Sequence, residues 1–87
     1  MLRNRGAVEA DVDRRALMWR GKELRLFTDE ADTRRAARGL VRYAVVLADG
    51  TQWYLSRELY ERLGSATHVR LFVGPRSAEV LDLAPRP

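Results

Sequence analysis

The sequence predicts a mainly β domain with one short helix, an α+β fold arranged as a small barrel or a strongly bent antiparallel sheet of about six strands. Three observations favour this fold. Apolar and polar residues alternate along several short segments, turn residues separate these segments at intervals of roughly 8 to 12 residues, and one segment carries signals for both ends of a helix. The 87 residues fit a single domain.

The first two strands are predicted to form a hairpin. Residues alternate from Ala7 to Val12, the apolar trend resumes from Ala16 to Trp19, and the segment from Glu23 to Phe27 alternates again. Gly21 lies between the last two segments, and a glycine between β-rich segments is typical of a hairpin turn.

The second hairpin has the strongest local signal in the sequence. Leu40 to Ala48 is rich in β-forming residues, with Val41, Tyr43, Val45 and Leu47 on one face of the strand, and Thr51 to Leu55 follows as a second strand. Asp49-Gly50 between them predicts a two-residue type I′ turn, because both central residues of that turn need a positive φ.

A short helix and a third hairpin follow. Ser56 is a good N-cap, and Gly64 ends the helix. Strands are predicted from His68 to Val73 and from Ala78 to Leu83, with the turn at residues 74–77. The residues that we expect in the core are Val45, Trp53, Leu63, Val69 and Leu71.

The segment from Thr28 to Gly39 has conflicting signals. Thr28 or Asp29 suits a helix N-cap, and acidic residues precede basic ones, as the helix dipole favours. Its only apolar residues are three alanines, which bury little surface. We therefore interpret it as a mobile loop containing at most a turn or two of helix. Loops of this length in small domains are often functional, so the segment is a candidate for partner contact.

Composition restricts the setting of the domain. No cysteine is present, so disulfides and zinc–thiolate sites are excluded. No apolar run approaches the roughly 20 residues that span a bilayer, and the N-terminus does not resemble a signal peptide. We expect one domain over residues 6–84, disordered ends at 1–5 and 85–87, no membrane insertion by this segment, and a cytoplasmic location. The alternative is the cytoplasmic part of a membrane-anchored protein, since Arg3 and Arg5 match the basic flank of such an anchor.

The sequence favours no catalytic role and no cofactor. The single histidine, His68, has no cysteine or second histidine to complete a metal site or a catalytic dyad. Asp29, Glu30 and Asp32 lack the spacing of a calcium loop.

Positive charge is concentrated in the first half of the chain. Residues 1–42 hold eleven basic and seven acidic side chains, whereas residues 43–87 hold five of each. Such a half attracts phosphate or other anions, although a solvated surface also explains it. The candidate residues for partner or anion binding are basic or exposed aromatic: Arg20, Arg25, Arg34, Arg35, Arg38, Arg42, Tyr54 and Phe72.

The second half of the chain resembles small barrel domains of uncharacterised bacterial proteins, many of them membrane-anchored. The matching features are Tyr43 to Leu47, the Asp49-Gly50 turn, the helix from Ser56 to Leu63, and the strand Val69 to Val73 that leads into a Gly-Pro turn. The resemblance covers residues 40–83. It implies a domain of unknown function and carries over no catalytic residue.

Two hypotheses for function remain. The first is a non-catalytic interaction module that binds an unknown protein or a neighbouring domain. The second is a small barrel that binds single-stranded nucleic acid through cations and exposed rings. The candidate rings are Trp19, Phe27, Tyr54, Tyr60 and Phe72. The competing explanation places Trp19, Trp53, Tyr43 and Phe72 in the core. Because Trp53 and Tyr54 point to opposite faces of one strand, as do Leu71 and Phe72, we expect Tyr54 and Phe72 to be the exposed or second-layer rings.

Overall fold

A computed structural model describes residues 6–74 and 79–86. These residues form six strands and two short helices. The strands and helices, in chain order, are β1 (Gly6–Trp19), β2 (Lys22–Glu23), α1 (Glu30–Ala37), β3 (Arg42–Leu47), β4 (Gln52–Leu55), α2 (Arg57–Leu63), β5 (His68–Val73) and β6 (Val80–Arg86). The prediction of a mainly β antiparallel domain is confirmed, and the structure adds a second helix to the one expected.

One long strand connects the two halves of the sheet. The strand order is β4-β3-β1-β5-β6, with β2 paired to β1. The first part of β1 pairs with β5, and the part from Val12 to Met18 pairs with β3. A bulge between Val12 and Arg14 separates the two parts, and bulges bend and twist the strand that carries them. The apolar segments Ala7 to Val12 and Ala16 to Trp19 therefore lie in one strand, the first strand of the predicted hairpin.

The predicted barrel is not confirmed, because the sheet is not closed. Between the described ends of the sheet, a single isolated bridge joins Tyr54 of β4 to Glu79, just before β6. At the other end of β6 the strand continues to Arg86. Residues 85 and 86, which we expected to be disordered, thus lie in a strand paired with β5. The predicted disordered segment 1–5, residues 75–77 of the predicted turn, Ala78 of the predicted last strand and Pro87 of the predicted disordered end lie outside the described residues.

The main core lies between the sheet and α2. Four of the five predicted core residues are buried: Val45, Val69 and Leu71 fully, and Leu63 with 2% exposed. The fifth, Trp53, is only half-buried and packs against this core. In β5 the predicted alternation is observed directly: Val69, Leu71 and Val73 point inward, and the residues between them point outward.

Strand β3 is buried on both faces, which the alternating pattern did not predict. Val45 and Leu47 face the main core, while Ala44 and Val46 form a second cluster with Ala16 and Met18. Ala16 and Ala44 are paired across the strands, and Tyr54 packs against the cluster that they form with Met18 and Val46.

The two tight turns differ from the prediction. The two-residue turn with positive φ at both positions is formed by Arg20 (52°) and Gly21 (77°) between β1 and β2. In the β3–β4 hairpin only Gly50 has a positive φ, of 88°, and the Gly50 N–H donates to the Leu47 carbonyl. The predicted type I′ turn at Asp49-Gly50 is therefore wrong. The loop has three residues and ends in a left-handed glycine, the next most common hairpin connection.

Helix α2 forms where its capping residues predict it. The Ser56 hydroxyl accepts a hydrogen bond from the Leu59 N–H at 3.1 Å, and Gly64 ends the helix with a φ of 56°. Leu59 and Leu63 are buried. Neither helix in the described ranges is long and apolar enough to cross a membrane.

The interpretation of Thr28 to Gly39 as a mobile loop is wrong. It contains helix α1, which has eight residues, more than the loop interpretation favoured. The predicted N-cap at Asp29 is present, since the Asp29 carboxylate accepts a hydrogen bond from the Asp32 N–H at 3.1 Å. The helix packs through polar groups, so the shortage of apolar residues did not prevent it from docking.

Candidate interaction surface

The predicted site residues fall into three places. Five of them lie in residues 20–40, which comprise the β1–β2 turn, β2, α1 and the adjoining connections and which we call the α1 lobe. These five are Arg20, Arg25, Arg34, Arg35 and Arg38. Arg42 and Tyr54 lie together on the sheet beside the lobe, and Phe72 lies on β5. The structure therefore does not unite them in one site.

A buried carboxylate docks α1 against the β1–β2 hairpin. Asp32 is 4% exposed, accepts from the Arg25 N–H at 3.0 Å, and pairs with the Arg35 guanidinium at 2.7 Å. The Arg25 N–H, followed by Arg35, holds the pKa of Asp32 below its usual range. The Arg35 guanidinium also lies 3.9 Å from the centre of the Trp19 ring. Arg35 therefore has a structural role and is not free to bind an anion.

The turn before α1 presents an aromatic ring to solvent. The Asp29 N–H donates to the Arg25 carbonyl at 3.0 Å, which closes a turn with Phe27 at its apex. Phe27 is 92% exposed and has a φ of 68°. A positive φ is unusual for a bulky residue and costs roughly 1–2 kcal/mol.

Thr33 fixes this apex in place. Its hydroxyl accepts from the Phe27 N–H at 2.9 Å and donates to the Asp29 carbonyl at 2.8 Å. The first turn of α1 and the Phe27 apex are therefore one hydrogen-bonded unit, and the backbone of Phe27 is held in a defined position.

A groove runs between the Phe27 ring and the outward face of α1. Its volume is about 600 Å³. The helix contributes residues at spacings of three and four, which places them on one face. The lining residues are Phe27, Thr28, Glu30, Thr33, Arg34 and Ala37.

Every acidic group of the α1 lobe is already engaged. Glu23 pairs with Arg14 at 2.7 Å, and Glu30 pairs with Arg34 at 3.3 Å. Asp29 caps the helix, and Asp32 is bonded as described above. The acidic triplet that the sequence singled out is thus explained by structure, and within the described ranges no group of three His, Cys, Asp or Glu residues converges as a metal site.

Four cations of the lobe have no acidic partner within 4 Å among the described residues. They are Arg20, Lys22, Arg25 and Arg38. Elsewhere in the described ranges, every cation except Arg15 has such a partner. Arg15 instead donates to the Tyr60 carbonyl and lies over the Tyr60 ring. Uncompensated positive charge is therefore concentrated on the α1 lobe.

Arg42 and Tyr54 contact each other in a cleft of about 350 Å³ near the start of α2. The Arg42 guanidinium lies 3.7 Å from the centre of the Tyr54 ring and pairs with Glu79 at 3.2 Å. Tyr54 also packs against the second core cluster. Its ring is therefore half-buried and carries a guanidinium, which makes it a poor platform for a stacked base.

Phe72 lies away from the lobe, on the outward face of β5. It is 38% exposed, and with the exposed Leu81 of β6 it lines an apolar groove of about 790 Å³. Among the described residues, Arg70 is the one cation that lines this groove, and it lies 3.8 Å from Glu9. Nearby, the His68 Nδ1 lies 3.0 Å from the Asp11 carboxylate oxygen Oδ1. The predicted exposure of Phe72 is confirmed.

The two residues that shape the groove have little local signal in the sequence. The alternating pattern predicts Phe27, a candidate stacking ring, at the end of a strand, but that strand stops at Glu23 in the structure. No sequence pattern singles out Thr33. A capping residue two positions after an aromatic is a weak local signal for an apex of this kind.

Comparisons of the chain with protein families, with curated proteins and with solved structures found no match.

Proposed function

We propose that the chain is a non-catalytic interaction module that binds a partner protein, or a neighbouring domain, through the α1 lobe. One observation supports this most: Phe27 is 92% exposed and has a positive φ. An exposed ring contributes little to the core, and its backbone conformation opposes folding. A residue that weakens the fold while displaying an ordered ring suits a binding anchor, because large aromatic side chains dominate the binding energy of interfaces.

The groove beside the ring supports the same proposal. Phe27 forms one wall, and the exposed face of α1 forms the other. Since Thr33 holds the apex by two hydrogen bonds, the backbone that carries the ring loses little conformational freedom on binding. A partner side chain seated between the ring and Ala37 would bury apolar surface on both sides.

Phe27→Gly tests the proposal. Glycine accepts a positive φ, so the variant should be as stable as the wild type or more stable by up to about 1 kcal/mol in urea unfolding. Selection from a displayed library of random peptides should yield sequences that bind the wild type and not the variant. Phe72→Thr, which removes the exposed ring of β5, is the control and should retain those peptides.

Two results would contradict the proposal. A loss of stability in Phe27→Gly would show that the ring supports the fold. Peptides that bind the wild type and Phe27→Gly equally, or an absence of enriched peptides, would show that the lobe is not a protein-binding surface.

Single-stranded nucleic acid is the second candidate partner, favoured by the four uncompensated cations of the lobe. Against it, guanidinium groups cover most of the candidate rings: Arg20 and Arg35 lie over Trp19, Arg42 over Tyr54, and Arg15 over Tyr60. Phe27 is the most exposed of the candidate rings, and Phe72, which is 38% exposed, has the Arg70 guanidinium 5.8 Å from its ring centre. Anisotropy of a labelled single-stranded oligonucleotide decides this point, since specific binding must weaken steeply with salt. No binding at low salt eliminates the candidate.

The wider setting of the module is part of the proposal. We propose that it belongs to a bacterial protein and acts in the cytoplasm, as the soluble part of a membrane-anchored chain. The resemblance over residues 40–83 and the basic residues Arg3 and Arg5 support this setting. An apolar segment of about 20 residues encoded directly upstream would agree with it. A gene that encodes only these residues would contradict the anchored form.

A further inference from the structure

We infer that the partner of the α1 lobe is an acidic peptide segment that carries a large apolar side chain. The inference rests on the proposed function and adds the chemistry of the partner. It follows from the charges and from the shape of the groove beside Phe27.

The charges require a partner that brings its own carboxylates. Glu23, Asp29, Glu30 and Asp32 already have partners within the domain. The lobe therefore has no acid left for Arg20, Arg25 or Arg38, and Lys22 acts only at longer range on Asp32, which Arg35 already pairs. A partner that brings carboxylates to these cations gains attraction without breaking an ion pair of the domain, whereas a basic partner meets repulsion.

Two of these cations are carried by the elements that form the groove. Arg25 lies two residues before Phe27, at the start of the turn that carries the ring. Arg38 follows Arg34 by one helical turn, and Arg34 lines the groove. Both arginines are exposed, and their side chains make no hydrogen bond or ion pair within the described ranges. Both guanidinium groups are therefore available to the carboxylates of a partner that occupies the groove.

The apolar requirement comes from the groove itself. Its walls are the Phe27 ring and the short side chains of Thr33 and Ala37 on α1. An aliphatic or aromatic side chain placed there covers the most exposed large apolar residue in the described ranges. A purely acidic segment leaves that ring in water, so the partner must combine both features.

The Phe27 ring also favours an acidic peptide over other polyanions as the ligand. A phosphate-rich ligand uses the cations but gains nothing from Ala37 or from the groove wall. An amphipathic acidic segment uses both sets of contacts, in the manner of a helix that lays its apolar face in a groove.

The test selects a displayed library of random peptides on the wild-type protein and then measures the best peptide by anisotropy. We expect enriched peptides with net negative charge and at least one Leu, Ile, Phe or Trp. The double variant Arg25→Gln, Arg38→Gln should weaken the best peptide about tenfold and reduce its salt dependence. Arg57→Gln, which changes an exposed cation of α2 that pairs with Glu61, is the matched control and should have no such effect.

The outcomes separate the inference from the proposed function. Peptides that need Phe27 but are neutral or basic overturn the inference and leave the interaction module standing. The inference is also overturned if the double variant and the Arg57 control bind equally well. If no Phe27-dependent peptide is found, both fail. Binding only of a single-stranded oligonucleotide, or only of phosphatidylserine vesicles, also overturns the inference and assigns the cations to those ligands.

Discussion

Gly50 closes the β3–β4 hairpin with a φ of 88°, and the Asp49 carboxylate supports the loop by accepting from the Thr51 hydroxyl at 2.7 Å and the Thr51 N–H at 2.9 Å. These two bonds, the hydroxyl first, hold the pKa of Asp49 below its usual range. The Cβ of a larger residue at position 50 would have free space around it. Any cost of replacing Gly50 therefore comes from backbone conformation alone.

Gly50→Val should lower the free energy of unfolding by about 1–2 kcal/mol, because a β-branched residue resists a positive φ. Thermal or urea unfolding measures the change. Ala48→Val is the control in the same exposed loop, where φ is not positive, and should stay within about 0.5 kcal/mol of the wild type. Equal effects in the two variants would show that φ does not limit this loop.

At the level of elements, helix α1 is held by polar contacts. Its buried residue is Asp32, and its strongest contacts are those of Asp32 with the Arg25 N–H and of Arg35 with Asp32 and Trp19. Reversing Arg34, Arg35 and Arg38 together would therefore not leave the fold intact, contrary to what a free loop would allow. The three arginines have different roles, which single variants can separate.

Arg35→Glu should destabilise the domain by about 1–3 kcal/mol, because it leaves the buried Asp32 without its cation and adds a second negative charge beside it. Arg34→Glu and Arg38→Glu should each change stability by less than about 0.5 kcal/mol, since both residues are exposed. Urea unfolding of the three variants measures this difference. A similar loss in all three would mean that general charge, and not the Asp32 contact, docks the helix.

Acid should undock α1. The folded state holds the pKa of Asp32 below its unfolded value, so the unfolded chain binds more protons near that value. The stability from Asp32 is therefore present above about pH 4 and is lost as the pH falls through the folded pKa. The difference in urea midpoint between wild type and Asp32→Asn should be large at pH 7 and shrink towards pH 3. A difference that stays constant with pH would contradict this contribution.

At the level of the whole molecule, β1 joins the two halves of the sheet, and the main core lies on one side of it. Leu71 and Val69 of β5 are fully buried, and Val45 on the other side of β1 is buried in the same cluster. A small domain depends strongly on each such residue, because its total stability is only a few kcal/mol.

Leu71→Ala should cost about 2–5 kcal/mol, as large-to-small changes in cores do, and should bring the domain close to unfolding. Circular dichroism during thermal unfolding measures the loss. Leu81→Ala is the control, because Leu81 is an exposed leucine of the neighbouring strand, and it should change stability by less than about 0.5 kcal/mol. A stable Leu71→Ala variant would mean that β5 contributes little to the core.

The sequence alone determined those parts of the fold that depend on local pattern. Alternation placed the strand at β5 and the inward residues Val69 and Leu71, and the caps at Ser56 and Gly64 fixed α2, because both signals act within a few residues of the chain. Composition also placed the excess positive charge in the first half of the chain.

Only the tertiary structure decided which cations are free, how α1 docks and where Phe27 points. Each of these features depends on groups from different elements, such as Arg35 of α1 against Trp19 of β1, or Arg42 of β3 against Glu79 before β6. Local periodicity carries no record of such pairings, since an ion pair or a ring contact forms wherever the fold brings the two groups together. The loop interpretation of residues 28–39 was wrong for the same reason. The partners of Asp32 that stabilise α1 include the Arg25 N–H, which lies outside the helix.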